Sequence, residues 1–196
     1  MSRTAELQRA TGETRVAVTL DVDGSGQGTR ETGVGFFDHM LDLLARHGRL
    51  DLGVSASGDL QTGSHHTVED TGICIGTALD RALGDRARIT RYGHAVVPMD
   101  EARASVAVDI SGRGFLVFEA ELPFGTIGDF EVELVREFFQ ALATNARITL
   151  HVTVEAEGSV HHMIEAIFKA SGRALAQAVA INPREQGIPS TKGTLT

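Results

Sequence analysis

The feature that most restricts what this chain can fold into is that it is written twice. The segment ETRVAVTLDVDGSG from Glu13 superposes without a gap on EARASVAVDISGRG from Glu101, an offset of 88 residues. DHMLDLLARHGRLDLGV from Asp38 then matches REFFQALATNARITLHV from Arg136 at an offset of 98. HHTVEDTGICIGTALDRAL from His65 matches HHMIEAIFKASGRALAQAV from His161 at an offset of 96. Three blocks that keep their order are a poor product of chance, so the chain should fold as two copies of one supersecondary unit.

The periodicities say what that unit is. Val16, Val18, Leu20 and Val22 alternate in the first copy and Ala104, Val106, Val108 and Ile110 in the second, which predicts strands with one buried face, closed by glycine-bearing turns. In the second block Met40, Leu41, Leu44 and Ala45 fall opposite Phe138, Phe139, Leu142 and Ala143 at helical spacing. Those helices should end near His47-Gly48 and Asn145-Ala146, with Gly48 as the stop, and half-buried strands should follow over 50–56 and 148–154. The third block reads as a second amphipathic helix, and the loop before it is two residues longer in the first copy. RYGHAVVPM, residues 91–99, reads as an additional strand completing the first sheet, and NPREQGIPSTKGTLT as an ordered but irregular tail. Each half is thus strand, strand, helix, strand, helix, an α+β unit with its helices on one face of a sheet. The halves are set at 1–95 and 96–185, with a tail at 186–196.

Composition narrows the function. With 42% hydrophobic and 22% charged residues, 196 residues can bury a real core, and disorder is excluded as the main state. No apolar stretch approaches the roughly 20 residues of a bilayer span, and MSRTAELQRATGETR lacks the apolar segment of a secretory leader; a cytoplasmic protein is expected. A net charge of −8 gives no general attraction for nucleic acid or an anionic membrane, so a phosphorylated small substrate would need a local cluster of Arg and Lys. The single Cys74 excludes an internal disulfide and a cysteine-based zinc site, which leaves histidine and carboxylate as the ligands for any metal.

Both third blocks open with HHxxE. On a helix His66 and Glu69 stand at i and i+3, and His65 and Glu69 at i and i+4, a spacing that suits metal ligation. Neighbouring histidines diverge by about 100° around a helix, so two metal sites are expected. His39 falls opposite Glu137 at the offset of 98, which adds a ligand pair. The candidate set is His39, His65, His66 and Glu69 in the first half, with Glu137, His161, His162 and Glu165 in the second. Imidazole plus carboxylate fits Mn, Fe, Zn, Co or Ni without selecting among them. His47, His94 and His151 lie outside this set and are read as structural.

GFFDHMLDLLARHG, HHTVEDTGICIG, RYGH, PMDEA, HHMIEAIFKA and IPSTKG, in order and spanning Glu13 to Leu195, make the chain resemble the imidazoleglycerol-phosphate dehydratases. The resemblance implies a duplicated α+β fold of the ribosomal protein S5 domain 2-like type. It also implies a homo-oligomer of 24 subunits with active sites between them, two Mn2+ per site, and dehydration of a small phosphorylated imidazole substrate, imidazole-glycerol phosphate, in histidine biosynthesis. It carries metal ligation onto His39, His65, His66, Glu69, His161, His162 and Glu165; at Glu137 many family members have His instead. Substrate contact is implied for Glu13, His39, Arg91, Arg113, Lys169, Ser190 and Lys192. Loss of a weakly acidic C2 proton and of the C3 hydroxyl needs acid and base groups, for which Glu13 and Glu165 are the candidates. The ligand set by itself also allows a non-enzymatic metal-dependent assembly protein, or a hydrolase acting through metal-bound water. The basic residues and the IPSTKG tail have no purpose in a mere metal staple.

Overall fold

A computed structural model describes residues 2–195. In the first half β1 (Thr4–Ala10), β2 (Thr14–Asp21) and a two-residue β3 (Arg30–Glu31) precede helix α1 (Gly35–Gly48), strand β4 (Asp51–Gly58) and helix α2 (His65–Leu83). The second half repeats this with β5 (Tyr92–Met99), β6 (Ala102–Asp109), β7 (Phe115–Glu119), α3 (Leu134–Ala146), β10 (Thr149–Ala156) and α4 (Val160–Val179). A small hairpin, β8 (Thr126–Ile127) and β9 (Phe130–Glu131), lies where the repeat offset grows from 88 to 98, and so fills the extra length of the second copy.

The sheets run β1-β2-β4-β3 and β5-β6-β10-β7. In each, the first three strands are antiparallel and the short fourth is parallel to its neighbour. The expected alternation is realised: Val16, Val18 and Leu20 of β2, and Ala104, Val106 and Val108 of β6, are buried while their neighbours face outward. Helices α2 and α4 cover the inner faces of the two sheets. No helix among the described residues is long and apolar enough to cross a membrane.

Three expectations need correction. Residues 92–99 do not complete the first sheet: β5 pairs along its whole length with β6, from Tyr92 opposite Asp109 to Met99 opposite Ala102. The boundary at 95 and 96 therefore falls inside a strand of the second sheet. β5 is the repeat of β1, Thr4 standing to Tyr92 at the same offset of 88, and β1 was not read from the sequence because none of its residues is fully buried. Each half accordingly adds a third sheet strand before its first helix, two residues long in the first half and five in the second, where the β8–β9 hairpin also intervenes. Lastly, Gly48 ends α1 but is not its left-handed stop; Arg49 takes φ 54°, and Arg147 takes φ 56° after α3.

Gly48 has a different task. The halves join because each long helix crosses to the other half, α2 against α3 and α4 against α1. Both crossings hinge on a glycine at equivalent repeat positions. A Cβ on Gly76 would stand 2.6 Å from the Leu142 carbonyl oxygen, and one on Gly172 would stand 2.6 Å from that of Leu44 and 2.8 Å from the Gly48 nitrogen. Backbone meets backbone, which only a residue without a side chain permits. Phe37, Phe130, Phe138, Phe139 and Phe168 close the junction as a chain of ring contacts 4.9–5.9 Å between centroids.

Gly172→Ala should therefore lower the unfolding free energy in urea by about 1–3 kcal/mol, the usual cost of overpacking a tight core. Gly12→Ala, where nothing lies within 4 Å of the new methyl, should change it by less than about 0.5 kcal/mol. Equal midpoints for the two variants would refute the close-approach account.

Candidate active site

The crossing of α1 and α4 gathers the first group of candidate ligands. Asp38 in the first turn of α1 accepts hydrogen bonds from the backbone N–H (2.8 Å) and hydroxyl (2.7 Å) of Thr32, which fixes the entry of the helix beside β3. The next residue, His39, then reaches across to α4, its Nε2 3.3 Å from Glu165 Oε1. His161 Nε2 lies 3.0 Å from the same oxygen, and Lys169 Nζ lies 2.5 Å from Oε2. The ring of Phe36 meets His161 edge-on at 5.1 Å. Glu165 is only 7% exposed. Burial pushes its carboxyl up, but the hydrogen bonds from Lys169, His39 and His161 outweigh that and bring it down to about 2.

The second histidine of each pair turns away. The rings of His161 and His162 are 6.1 Å apart at 83°, and those of His65 and His66 are 5.9 Å apart at 78°, as adjacent helical positions require. His162 Nδ1 lies 3.0 Å from Glu101 Oε2, with Asp100 Oδ2 4.0 Å from its Nε2. Glu101 also accepts the Ser159 N–H at 2.6 Å, so it fixes the start of α4; that backbone bond leads the effects that hold its carboxyl at about 2. In the first half His66 Nδ1 is 3.1 Å from both oxygens of Asp59 and 3.8 Å from Glu13 Oε2. Thr14 donates to Asp70 of α2 and Arg9 pairs with it at 3.3 Å, which pins the β1–β2 turn carrying Glu13 over the start of that helix. His65 Nε2 lies 3.8 Å from Glu69 Oε2. The i, i+4 pairing is thus the one that forms in both helices.

Two of these groups suit a cation. The ligand atoms of His39, His161 and Glu165, and those of Asp100, Glu101 and His162, lie within 4.8 Å of one another. Ligands about 2.1 Å from an ion and at right angles to each other are about 3 Å apart, and the imidazole-to-carboxylate distances of 3.0 and 3.3 Å in the first group match this. Nitrogen with oxygen suits a divalent ion of intermediate softness. Among the described residues, Glu137 belongs to no group of three such ligands; its carboxylate lies 3.7 Å from the Arg136 guanidinium. Asp59, Asp100 and Glu101 were missed in the sequence. For Glu101 the signal was present, since it stands opposite Glu13 at the offset of 88.

The basic candidates lie elsewhere. Arg91 makes a two-pronged pair with Asp109 at 2.7 and 3.2 Å, donates to the Pro189 carbonyl at 2.9 Å, and lies over the Tyr92 ring at 4.7 Å. Arg113 is exposed on the turn after β6, its N–H bonded to Ser111 Oγ at 3.2 Å. Ser190 Oγ accepts the Lys192 N–H at 3.2 Å, and Gly193 N–H closes the turn onto the Ser190 carbonyl at 3.0 Å. This is the end of the second sheet where β5 starts and β6 stops. Asp100 and Glu101 mark the opposite end, and the eight residues of β5 between them span roughly 25 Å. Lys169, grouped with the substrate contacts in the sequence, stands with Glu165 rather than with Arg91.

In metal-chelated protein the His66 ring should titrate above the usual histidine value, because Asp59 favours its protonated form, with Glu13 adding to this. Its proton is then held to higher pH than that of an unperturbed imidazole. Asp59→Asn should move the titration back down when followed by NMR of the ring C–H resonances; an unmoved titration would contradict the pairing.

A family model described as imidazoleglycerol-phosphate dehydratase matches residues 32–175. Among curated relatives, the imidazoleglycerol-phosphate dehydratase of Moorella thermoacetica is 55% identical over 196 residues, covering 100% of both chains. That of Symbiobacterium thermophilum is 56% identical over 193 residues, covering 98% of this chain and 93% of the relative. The crystal structure of imidazoleglycerol-phosphate dehydratase from Staphylococcus aureus superposes with a TM-score of 0.83 at 42% identity, covering 91% of this chain and 99% of that one. The enzyme from Pyrococcus furiosus gives 0.83 at 34%, covering 96% and 100%.

Proposed function

The chain belongs to the imidazoleglycerol-phosphate dehydratase family, a family of enzymes, and on that footing we propose that it converts imidazole-glycerol phosphate into imidazole-acetol phosphate and water, using two Mn2+ per site. The observation that carries this reading is the group of His39, His161 and Glu165, whose spacing and donor chemistry fit a divalent ion. The guanidinium and ammonium groups at the far end of β5 supply what a phosphate ester needs. A cytoplasmic biosynthetic enzyme without nucleic-acid or membrane partners fits the charge of −8.

The metal-holding residues in this reading are His39, His65, His66, Glu69, His161, His162 and Glu165, with Glu137 as the variable position. Bound divalent ions supply Lewis acidity toward the substrate's ring and hydroxyl. Glu165 is already surrounded by donors and held ionised, which suits it to holding a cation more than to passing a proton. Glu13 is exposed on its turn and close to His66, and takes the greater share of proton handling. Arg91, oriented by Asp109, would hold the phosphate with Arg113, Ser190 and Lys192. Lys169 and His39 would border the substrate from the metal side.

Geometry then asks for more than one copy. A separation of roughly 25 Å along β5 is far more than a three-carbon phosphate ester bearing one ring can bridge. A complete site is therefore assembled from the metal end of one chain and the phosphate end of another, in keeping with a homo-oligomer of 24 subunits.

Glu13→Gln should lower turnover at least about 100-fold, the usual scale for losing an acid or base, with bound metal by elemental analysis unchanged. Unchanged turnover would remove Glu13 from the reaction. Chelation should abolish activity and added Mn2+ restore it; activity that survives chelation would defeat the metal-dependent reading. Glu13→Gln chains, which do not turn over, and Lys192→Ala chains, which turn over only at high substrate, should recover activity at low substrate when refolded together, because mixed oligomers contain some sites with both residues intact. Absence of any recovery would argue for a site complete within one chain.

A further inference from the structure

We infer that Arg86 is a positioning residue that sets the C-terminal tail so that Ser190 and Lys192 face the substrate's phosphate. The inference rests on the role proposed above for those two residues. Arg86 takes no part in the candidate site, yet it is 3% exposed, an unusual fate for an arginine. One branch of its guanidinium pairs with Asp80 of α2 and the other donates to the backbone carbonyl of Leu195, 109 residues away in sequence, while its Nε has no partner among the described residues. A buried guanidinium is kept where its fork bridges two groups that must be held together.

The tail shows what is being held. Residues 191–194 are exposed, and then Leu195 is buried at 5%. A chain end without an element of its own returns to the core at the residue whose carbonyl meets Arg86. On the other side of the Ser190–Gly193 turn, Arg91 donates to the Pro189 carbonyl at 2.9 Å, and Arg88 N–H donates to that of Gly187 at 2.7 Å. The turn is thus bracketed by an arginine bond before it and another after it. All three arginines come from the short connection between α2 and β5, and all three have left-handed backbones, with φ of 60°, 63° and 74° at Arg86, Arg88 and Arg91. Residues with a Cβ keep that conformation where their surroundings over-determine it, which a track of tail contacts does.

With the Arg86 bond to Leu195 released, the turn keeps its ties at Gly187 and Pro189 but loses this one beyond it, and fewer chains present Ser190 and Lys192 correctly at any moment. Apparent affinity falls by the fraction of chains that are seated, while the chemistry of a bound substrate is unchanged. Arg86→Lys is the informative variant, since an ammonium can keep the pair with Asp80 but lacks the fork that also reaches Leu195. Leu195→Ala keeps the carbonyl that accepts from Arg86 but removes the buried side chain that seats it, and so loosens the anchor from the tail side.

The experiment uses the intact oligomer. Trypsin cleavage after Lys192 is followed by mass spectrometry, alongside KM and kcat for imidazole-glycerol phosphate. Both variants should be cut several-fold faster at Lys192, since cleavage tracks the open population, and both should show KM raised about tenfold with kcat within about twofold. Wild-type cleavage rates in Arg86→Lys would overturn the anchor. Faster cleavage with unchanged KM would overturn the positioning role. Lys192→Ala, measured beside them, then separates the two ideas: a raised KM there keeps the phosphate reading of the tail standing, and an unchanged one ends that reading as well.

Discussion

The whole arrangement depends on two helix crossings at which backbone lies directly on backbone. Gly76 and Gly172 occupy the same place in the two copies, each pressed against the C-terminal turn of the other half's first helix. The crossing unites the halves, since the core formed around it is continuous from β2 to β10. It also presents one helix to the other at side-chain range, so that His39 of α1 meets His161 and Glu165 of α4. Moving the helices apart by a methyl group would loosen the packing and at the same time draw His39 away from the carboxylate it shares with His161.

The electrostatics follow from that juxtaposition. Glu165 is taken from water and would resist ionisation, but three donors converge on it and reverse the balance. Glu101 reaches a similar state by another route, capping the start of α4 with its carboxylate while bonding His162. Each helix start thereby carries two carboxylate–imidazole pairings on diverging faces. Adjacent histidines cannot share one neighbour on a helix, and each has its own.

Much of this was legible in the chain because duplication exposes what a single copy conceals. The alternation of β2 and β6, the helices ending at Gly48 and Ala146, and the HHxxE pairs each appear twice, so generic patterns became specific ones. β1 is hard to read in the chain because its half-covered face, though it alternates strictly, is made of Ala5, Leu7 and Arg9 and none of it is fully buried; without β1 as a template, nothing in the sequence assigns β5 to the second sheet. Asp59 was not visible as a partner of His66 because the contact is made through a loop the second copy does not share. Arg86 showed nothing at all: a basic residue after Gly-Asp reads as a solvated turn, and only folding shows that it is buried against the chain end.

The residues alone determined the kind of unit, its doubling, and the imidazole and carboxylate chemistry at the start of the helices, since these are properties of spacing and side-chain type. Tertiary structure decided which candidate ligands meet, that among the described residues Glu137 stands apart from them while Glu101 joins them, and that the basic groups lie a full strand away. The physical reason is that periodicity fixes which face a side chain occupies, whereas the neighbour on that face is chosen by how closely helices from distant parts of the chain can approach.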